Sequence, residues 1–272
     1  MKLIQEVLSI QTGAAFQLLD GQAKADVQIS LMETAINDGV SVIFIQPVDS
    51  VALAPSIKKA KRANIPVISL NIDSTEPHAA HVEMNHYDGA IQIGKALGDK
   101  MGGAGKVAIL NAPPGIIIRD QRTNGFIDGL KKYHPDIKIV ADQVADWSRK
   151  KAQDVLSTIL AANPKLGGVY GVNDAMALGA VDVAKDKGLI GKLVIFGNDG
   201  ETDALESIAA GELTGTQFTD VHQQGRFAAS AAVVLATGMV PATAFKKQGH
   251  LLMPYVIATK DTVGQIGPAQ RW

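Results

Sequence analysis

Carboxylates and carboxamides recur in this chain where apolar runs stop. The run ending at Ile45 passes into Gln46-Pro47-Val48-Asp49-Ser50, and the run ending at Leu70 into Asn71-Ile72-Asp73-Ser74. The run ending at Val172 passes into Asn173-Asp174, and the run ending at Gly197 into Asn198-Asp199-Gly200. Such side chains donate to and accept from neighbouring hydroxyls, so a set of them suits a ligand rich in OH groups. The same residue types also cap helices and form turns. For any single position the capping use has at least equal weight, and for Ser50 and Ser74 it is preferred.

Other chemistries find little support. Gly102-Gly103-Ala104-Gly105-Lys106 looks like a phosphate loop, but it precedes an apolar run and lacks the required spacing, so it reads as a helix stop and turn. No Gly-x-Gly-x-x-Gly follows a strand pattern, and no Gly-x-Ser-x-Gly elbow is present. The six histidines are scattered without metal-ligand spacing. His78 and His81 are close together, but beside Pro77 they read as surface residues. The absence of cysteine removes disulfides, zinc–thiolate centres and thiol nucleophiles. No plausible catalytic pair emerges, so the chain is expected not to be an enzyme and to need no metal or cofactor. A net charge of −1 offers no electrostatic reason to bind nucleic acid. No apolar run reaches the ~18 residues of a membrane span.

The polar clusters need a frame that brings strand ends together. Short apolar runs at Ala14–Leu19, Val40–Ile45, Val67–Leu70, Val107–Leu110, Ile137–Val140, Gly168–Val172, Leu193–Phe196 and Leu213–Gln217 read as strands. Helical patterns alternate with them: one marked by Val27, Leu31 and Ala35, then Ala52–Ala63, Ala90–Met101, Arg119–Tyr133, Lys150–Ala162, and stretches beginning at Ala175 and Thr202. Leu3, Ile4, Val7 and Leu8 share one helical face, which reads as an amphipathic helix and not as a targeting segment. Alternation of this kind implies βαβ units and parallel sheets. About ten strands in 272 residues are more simply housed in two sheets than in one. In open α/β sheets ligands bind outside the carboxyl ends of the strands, where these polar clusters lie.

Five segments then carry a family resemblance: Phe44-Ile45-Gln46-Pro47-Val48-Asp49-Ser50, Ala63-Asn64-Ile65-Pro66-Val67-Ile68, Arg122-Thr123-Asn124-Gly125-Phe126, Gly171-Val172-Asn173-Asp174-Ala175-Met176-Ala177-Leu178-Gly179-Ala180, and Phe196-Gly197-Asn198-Asp199-Gly200. In order, and over nearly the whole chain, they resemble the ribose-binding-like branch of the periplasmic solute-binding proteins. Pro254–Lys260 is similar to that family's last strand. The resemblance implies a type I architecture: two doubly wound parallel-sheet lobes joined by a three-segment hinge, closing on a ligand. It implies a lobe of residues 1–84 and 220–252 and another of 85–219 and 253–272, with crossovers near Met84-Asn85, Thr219-Asp220 and Leu252-Met253. It further implies a periplasmic monomer that binds a sugar or polyol and delivers it to a membrane ABC permease, with a chemoreceptor as a further partner.

Site residues follow from the same resemblance. Arg122 stands where the family uses an arginine toward sugar hydroxyls, Asn173 at its contact asparagine and Asp199 at its contact aspartate. Trp147 stands for the stacking aromatic, with a role as a core plug close behind. Gln46 and Asn71 occupy amide-contact positions, and Thr219 a position that is often glutamine. Sugar-binding members often carry Asp-Arg where this chain has Asn71-Ile72. That change argues against ribose and toward a deoxy sugar, a polyol or a substituted sugar. The resemblance also places the start of this chain inside the family's first helix, so that the first strand is missing, through a late start site or a fragment. Two other functions share the fold: the effector-binding core of a LacI-type transcription regulator, and a sugar-modifying enzyme.

Overall fold

The computed structural model describes residues 15–239 and 249–272. The chain divides into two compact units, one of residues up to Met84 with Val221–Met253, the other of Asn85–Asp220 with Pro254–Trp272. Asp220 and Met253 each fall in the other unit from the one the sequence suggested. Met253 is held by β pairing opposite Met84, and the Asp220 carboxylate accepts a hydrogen bond from Gln270.

The first unit contains α1 (Ala25–Asn37), β1 (Ile43–Ile45), α2 (Ala54–Arg62), β2 (Val67–Leu70), β3 (Ala80–Met84), α8 (Val221–Ala236) and β9 (Gly249–Met253). The sheet order is β1-β2-β3-β9, all parallel. β2 is buried along its whole length, as expected of a parallel strand covered on both faces, with Ser69 the one polar residue among Val67, Ile68 and Leu70. Met32 of α1 and Leu53, Ile57 and Ala60 at α2 pack over Ile43, Ile45 and Val67. The small residues Ala228, Ala229, Ala231 and Ala232 let α8 lie close on Ile68, Leu70 and Val82.

The second unit contains α3 (His86–Lys100), β4 (Ala104–Asn111), α4 (Ile117–Tyr133), β5 (Asp136–Val144), α5 (Arg149–Ala162), β6 (Gly168–Gly171), α6 (Asp174–Asp186), β7 (Val194–Asp199), α7 (Thr202–Ala209), β8 (Gly215–Thr219) and β10 (Tyr255–Thr259). The order is β10-β8-β7-β6-β4-β5, parallel except for the antiparallel edge strand β10. β4 leads to β5 on one side and the chain then returns to β6 on the other. The strand order therefore reverses beside β4, the kind of switch point where α/β sheets hold ligands.

Several readings needed correction. Residues 15–20 form no strand: among the described residues β1 pairs only with β2, so this segment has no ladder to join, although Phe16 still packs 6.2 Å from Phe44. β1 is shorter than Val40–Ile45. β4 begins at Ala104, inside the glycine run read as a turn. β3, α8 and β9 went unrecognised. β3 and β9 carry His81, Glu83 and His250 in short segments, which hides their strand character. The helix expected from Leu3, Ile4, Val7 and Leu8 lies outside the described residues, as does Ala14.

α3 and α4 cross at glycines. A Cβ on Gly125 or Gly129 would overlap the carbonyl oxygens of Tyr87 and Ile91, and one on Gly94 would lie 2.7 Å from the Phe126 oxygen. Alanine in place of a helical glycine ordinarily gains about 1 kcal/mol in propensity. Here backbone must move, and overpacking costs about 1–3 kcal/mol. Gly129→Ala should therefore lower stability, read as a reduced denaturation midpoint at unchanged slope; an equal or higher midpoint would contradict this close crossing.

Candidate functional site

In the second unit, every sequence-derived site residue lies at or beyond the carboxyl end of a parallel strand. Arg122 is on α4, after β4. Trp147 follows β5, Asn173 follows β6, Asp199 ends β7 and Thr219 ends β8.

Arg122 is 4% exposed and ties the ends of β6 and β7 to the start of α3. Nη1 donates to the Val172 carbonyl at 2.7 Å, Nη2 to Asp199 Oδ1 at 2.5 Å, and Nε to His86 Nδ1 at 3.3 Å. A guanidinium has five N–H groups. Two are left over by these three bonds, one on each Nη. Asp199 sits at φ 128, a backbone region that side chains rarely adopt, followed by Gly200 at φ 85. Strain of this kind concentrates where a side chain is being aimed. Burial pushes the Asp199 carboxyl above its ordinary value, opposed chiefly by the charge and hydrogen bond of Arg122.

Behind this pair lies Asp174, which the sequence reading passed over as a site residue. It is fully buried. Its Oδ2 accepts from the Gly200 and Glu201 amides at 2.7 and 2.9 Å, and its Oδ1 from Thr216 Oγ1 at 2.6 Å. Burial first, and then the neighbouring Asp199 charge, push its carboxyl up to about 7. Asp174 thus fixes the turn after β7 that presents Asp199. Its signal in the sequence was the Asn-Asp pair, in which the first residue drew attention and the second does the bracing.

Asn173 caps α6, accepting from the Met176 amide at 2.9 Å. The cap occupies its oxygen and leaves the Nδ2 donors outside the cap. Trp147 and Asp146 adopt left-handed backbone, φ 57 and 56, just before the Ser148 cap of α5. The Trp147 ring is half-buried against the core, so it combines a packed edge with an accessible one. Thr219 is 1% exposed, and its hydroxyl makes no hydrogen bond.

In the first unit Gln46 and Asn71 follow β1 and β2. Gln46 is exposed, its carbonyl accepting from Gln28 Nε2 at 2.9 Å. Asn71 adopts φ 58, and its Oδ1 accepts from Gln224 Nε2 at 2.6 Å. Ser50 and Ser74 serve the turns: Ser50 Oγ donates to the Asp73 carbonyl and Ser74 Oγ to the Ser50 carbonyl. His78 and His81, expected at the surface, have side chains 1% and 0% exposed. The β2 and β3 strands draw them under the loop that follows β2, and burial lowers the His78 pKa from its ordinary value.

Known proteins resemble this chain in sequence and fold. The periplasmic binding protein domain matches residues 7–239. A xylitol-binding protein of Mycolicibacterium smegmatis is 32% identical over 251 residues, covering 91% of this chain and 70% of the relative. The D-allose-binding periplasmic protein of Escherichia coli is 31% identical over 198 residues, 70% of this chain and 63% of its own length. Among solved structures, an ABC transporter periplasmic solute-binding protein from Actinobacillus succinogenes 130z with bound D-allose superposes with a TM-score of 0.87 at 28% identity, covering 97% of this chain and 92% of that one.

Proposed function

Because this chain belongs to the periplasmic binding protein family, we propose that it captures a sugar or polyol in the periplasm and presents it to a membrane ABC permease, without transforming it. The observation that carries this reading is the Arg122–Asp199 pair, buried at the switch point of the second unit with Asn173 beside it. A carboxylate and a guanidinium held together can each bond a different hydroxyl of one vicinal pair. Their mutual neutralisation leaves little net charge, so a neutral ligand is preferred to an anion. Support comes also from relatives named for xylitol and D-allose.

Trp147 supplies the apolar complement, an aromatic face for the C–H side of a sugar. Gln46 and Asn71 are the contacts the first unit offers, and Thr219 the weakest of the set, since its hydroxyl is buried. Asn71-Ile72, with an aliphatic side chain where relatives of this type often carry an arginine, favours ligands with fewer hydrogen-bonding groups than ribose.

The test is tryptophan fluorescence titration of the chain against a panel of pentoses, hexoses, deoxy sugars and polyols. The chain has two tryptophans, so Trp147→Leu leaves Trp272 as an internal reference. A saturable change is expected with one panel member, weaker binding of ribose, and loss of the change together with about tenfold or more in affinity in Trp147→Leu. No response to any sugar or polyol would overturn the reading, and tight ribose binding would overturn the narrower preference.

A further inference from the structure

The first unit contains a second cluster of polar side chains, apart from the residues assigned to the ligand. His81 and Glu83 are alternate residues of β3 and therefore share one face of the sheet. β9 pairs with β3 in the register His81 opposite His250, which puts His250 on that face too. The two rings lie 4.8 Å apart between centroids. Glu83 lies between them, with Oε2 3.0 Å from His81 Nε2 and Oε1 3.7 Å from His250 Nδ1.

Hydrogen bonds around the cluster assign the protons. His78 Nδ1 lies 2.9 Å from the Glu76 carbonyl, which can only accept, so Nδ1 carries the hydrogen and Nε2 is bare. Ser69 Oγ lies 2.6 Å from His78 Nε2 and 2.6 Å from His81 Nδ1. Its single proton goes to the bare His78 nitrogen at 2.6 Å in preference to Asp73 Oδ1 at 3.3 Å, so it accepts from His81 Nδ1–H. A neutral His81 then turns a lone pair on Nε2 toward the Glu83 carboxylate. That nitrogen is fully buried and makes no hydrogen bond. Two acceptors then face each other at 3.0 Å, an arrangement that a cation bound between them satisfies.

We propose that His81 Nε2, Glu83 and His250 Nδ1 form a binding site for a divalent transition-metal cation of the zinc type. Two imidazoles and a carboxylate are a donor set that suits zinc. Bonds of about 2.0–2.1 Å in a tetrahedron set neighbouring donors about 3.3–3.5 Å apart, and the two separations across Glu83 bracket that span. The outer partners are in place as well. His250 Nε2 lies 3.3 Å from Asp73 Oδ2, so a carboxylate orients the ring that presents Nδ1. The Ser69–His78–Glu76 chain fixes His81 in the tautomer that offers Nε2. Such supports hold ligating histidines in metal centres. The His250 side chain is 48% exposed and provides the entry path and an open fourth position.

The test is zinc titration of the full chain by calorimetry, with cobalt substitution to read coordination from the visible spectrum. A single zinc per chain is expected, with a tetrahedral cobalt spectrum and a rise in melting temperature with zinc concentration. Glu83→Gln and His250→Ala should weaken zinc by more than about tenfold, and Asp73→Asn by about 10–100-fold through the lost orientation. His134→Asn, in the other unit, should leave zinc affinity unchanged. Circular dichroism verifies that each variant is folded, and His250 is exposed enough to be replaced without disturbing the core. Equal zinc affinity in the wild type and His250→Ala overturns the proposal. So does loss of binding in His78→Gln with Glu83→Gln unaffected, which would move the metal to the neighbouring Asp73–His78–His81 group.

Discussion

Arg122→Ala is expected to abolish ligand binding and to lower the stability of the fold by about 3–5 kcal/mol. The two losses have separate origins. Binding fails because the donors at the switch point are gone. Stability falls because the Asp199 carboxylate stays buried with its charge no longer matched, while the Val172 carbonyl and His86 lose a donor. Breaking a buried pair from one side is costly in this way even where the intact pair contributes little. The measurement is chemical denaturation of both proteins with a binding titration on each. Arg122→Ala paired with Asp199→Asn separates the effects: removing the orphaned charge should recover part of the stability but none of the binding. Full stability in the single variant would show that Asp199 finds another partner, and retained affinity would remove Arg122 from the site.

Asp174 should make stability fall as pH rises from about 4 to about 7. Its carboxyl is pushed up to about 7 in the folded chain, whereas an unfolded aspartate titrates near about 3.9. Between these values the folded state holds a proton that the unfolded state has released. The resulting stabilisation is complete below the unfolded value and is lost as pH climbs through the folded one, with a slope of at most about 1.4 kcal/mol per pH unit. His78 acts in the opposite sense. Burial lowers its pKa, so its contribution is present at neutral pH and is lost on acidification. The Asp174 component is isolated by comparing the wild type with Asp174→Asn at pH 5 and pH 7.5. The advantage of aspartate over asparagine should shrink at the higher pH, and an unchanged difference would rule the effect out. Asp174→Ala is the harsher change. It leaves the Gly200 and Glu201 amides and the Thr216 hydroxyl unpaired in the interior, each at about 1–3 kcal/mol.

The legibility of this chain in its sequence followed the reach of each interaction. β2 and α1 were readable because burial on both faces, or on one stripe, imposes a local pattern. Asn173 was readable because a cap and a strand end coincide within a few residues. Asp174 was not, since its partners Gly200, Glu201 and Thr216 are supplied by the turn after β7 and by the start of β8. β3 was hidden for a similar reason. His81 and Glu83 look like surface residues until β9 arrives beside them, more than one hundred and fifty positions later, and the same distance concealed their relation to His250. Histidine spacing along a chain identifies metal ligands on one element, and here the register between two strands does that work. The segment 15–20 failed in the other direction: its apolar residues satisfy the local pattern of a strand, but a strand also needs a neighbour.

The division of the chain has a consequence for its assembly. β9 completes the first sheet and β10 the edge of the second, and both lie in the last two dozen residues. Each sheet is therefore closed by a strand supplied late in the chain, β9 on β3 and β10 on β8. β3 finds its outer partner more than one hundred and fifty positions later, and until β9 pairs its histidine and glutamate lie on an open edge. Long-range closure of this kind slows folding, and unpaired edges invite association with other chains in the interval. A chain in which β9 has not yet paired thus presents β3 as an edge open to strands of other molecules.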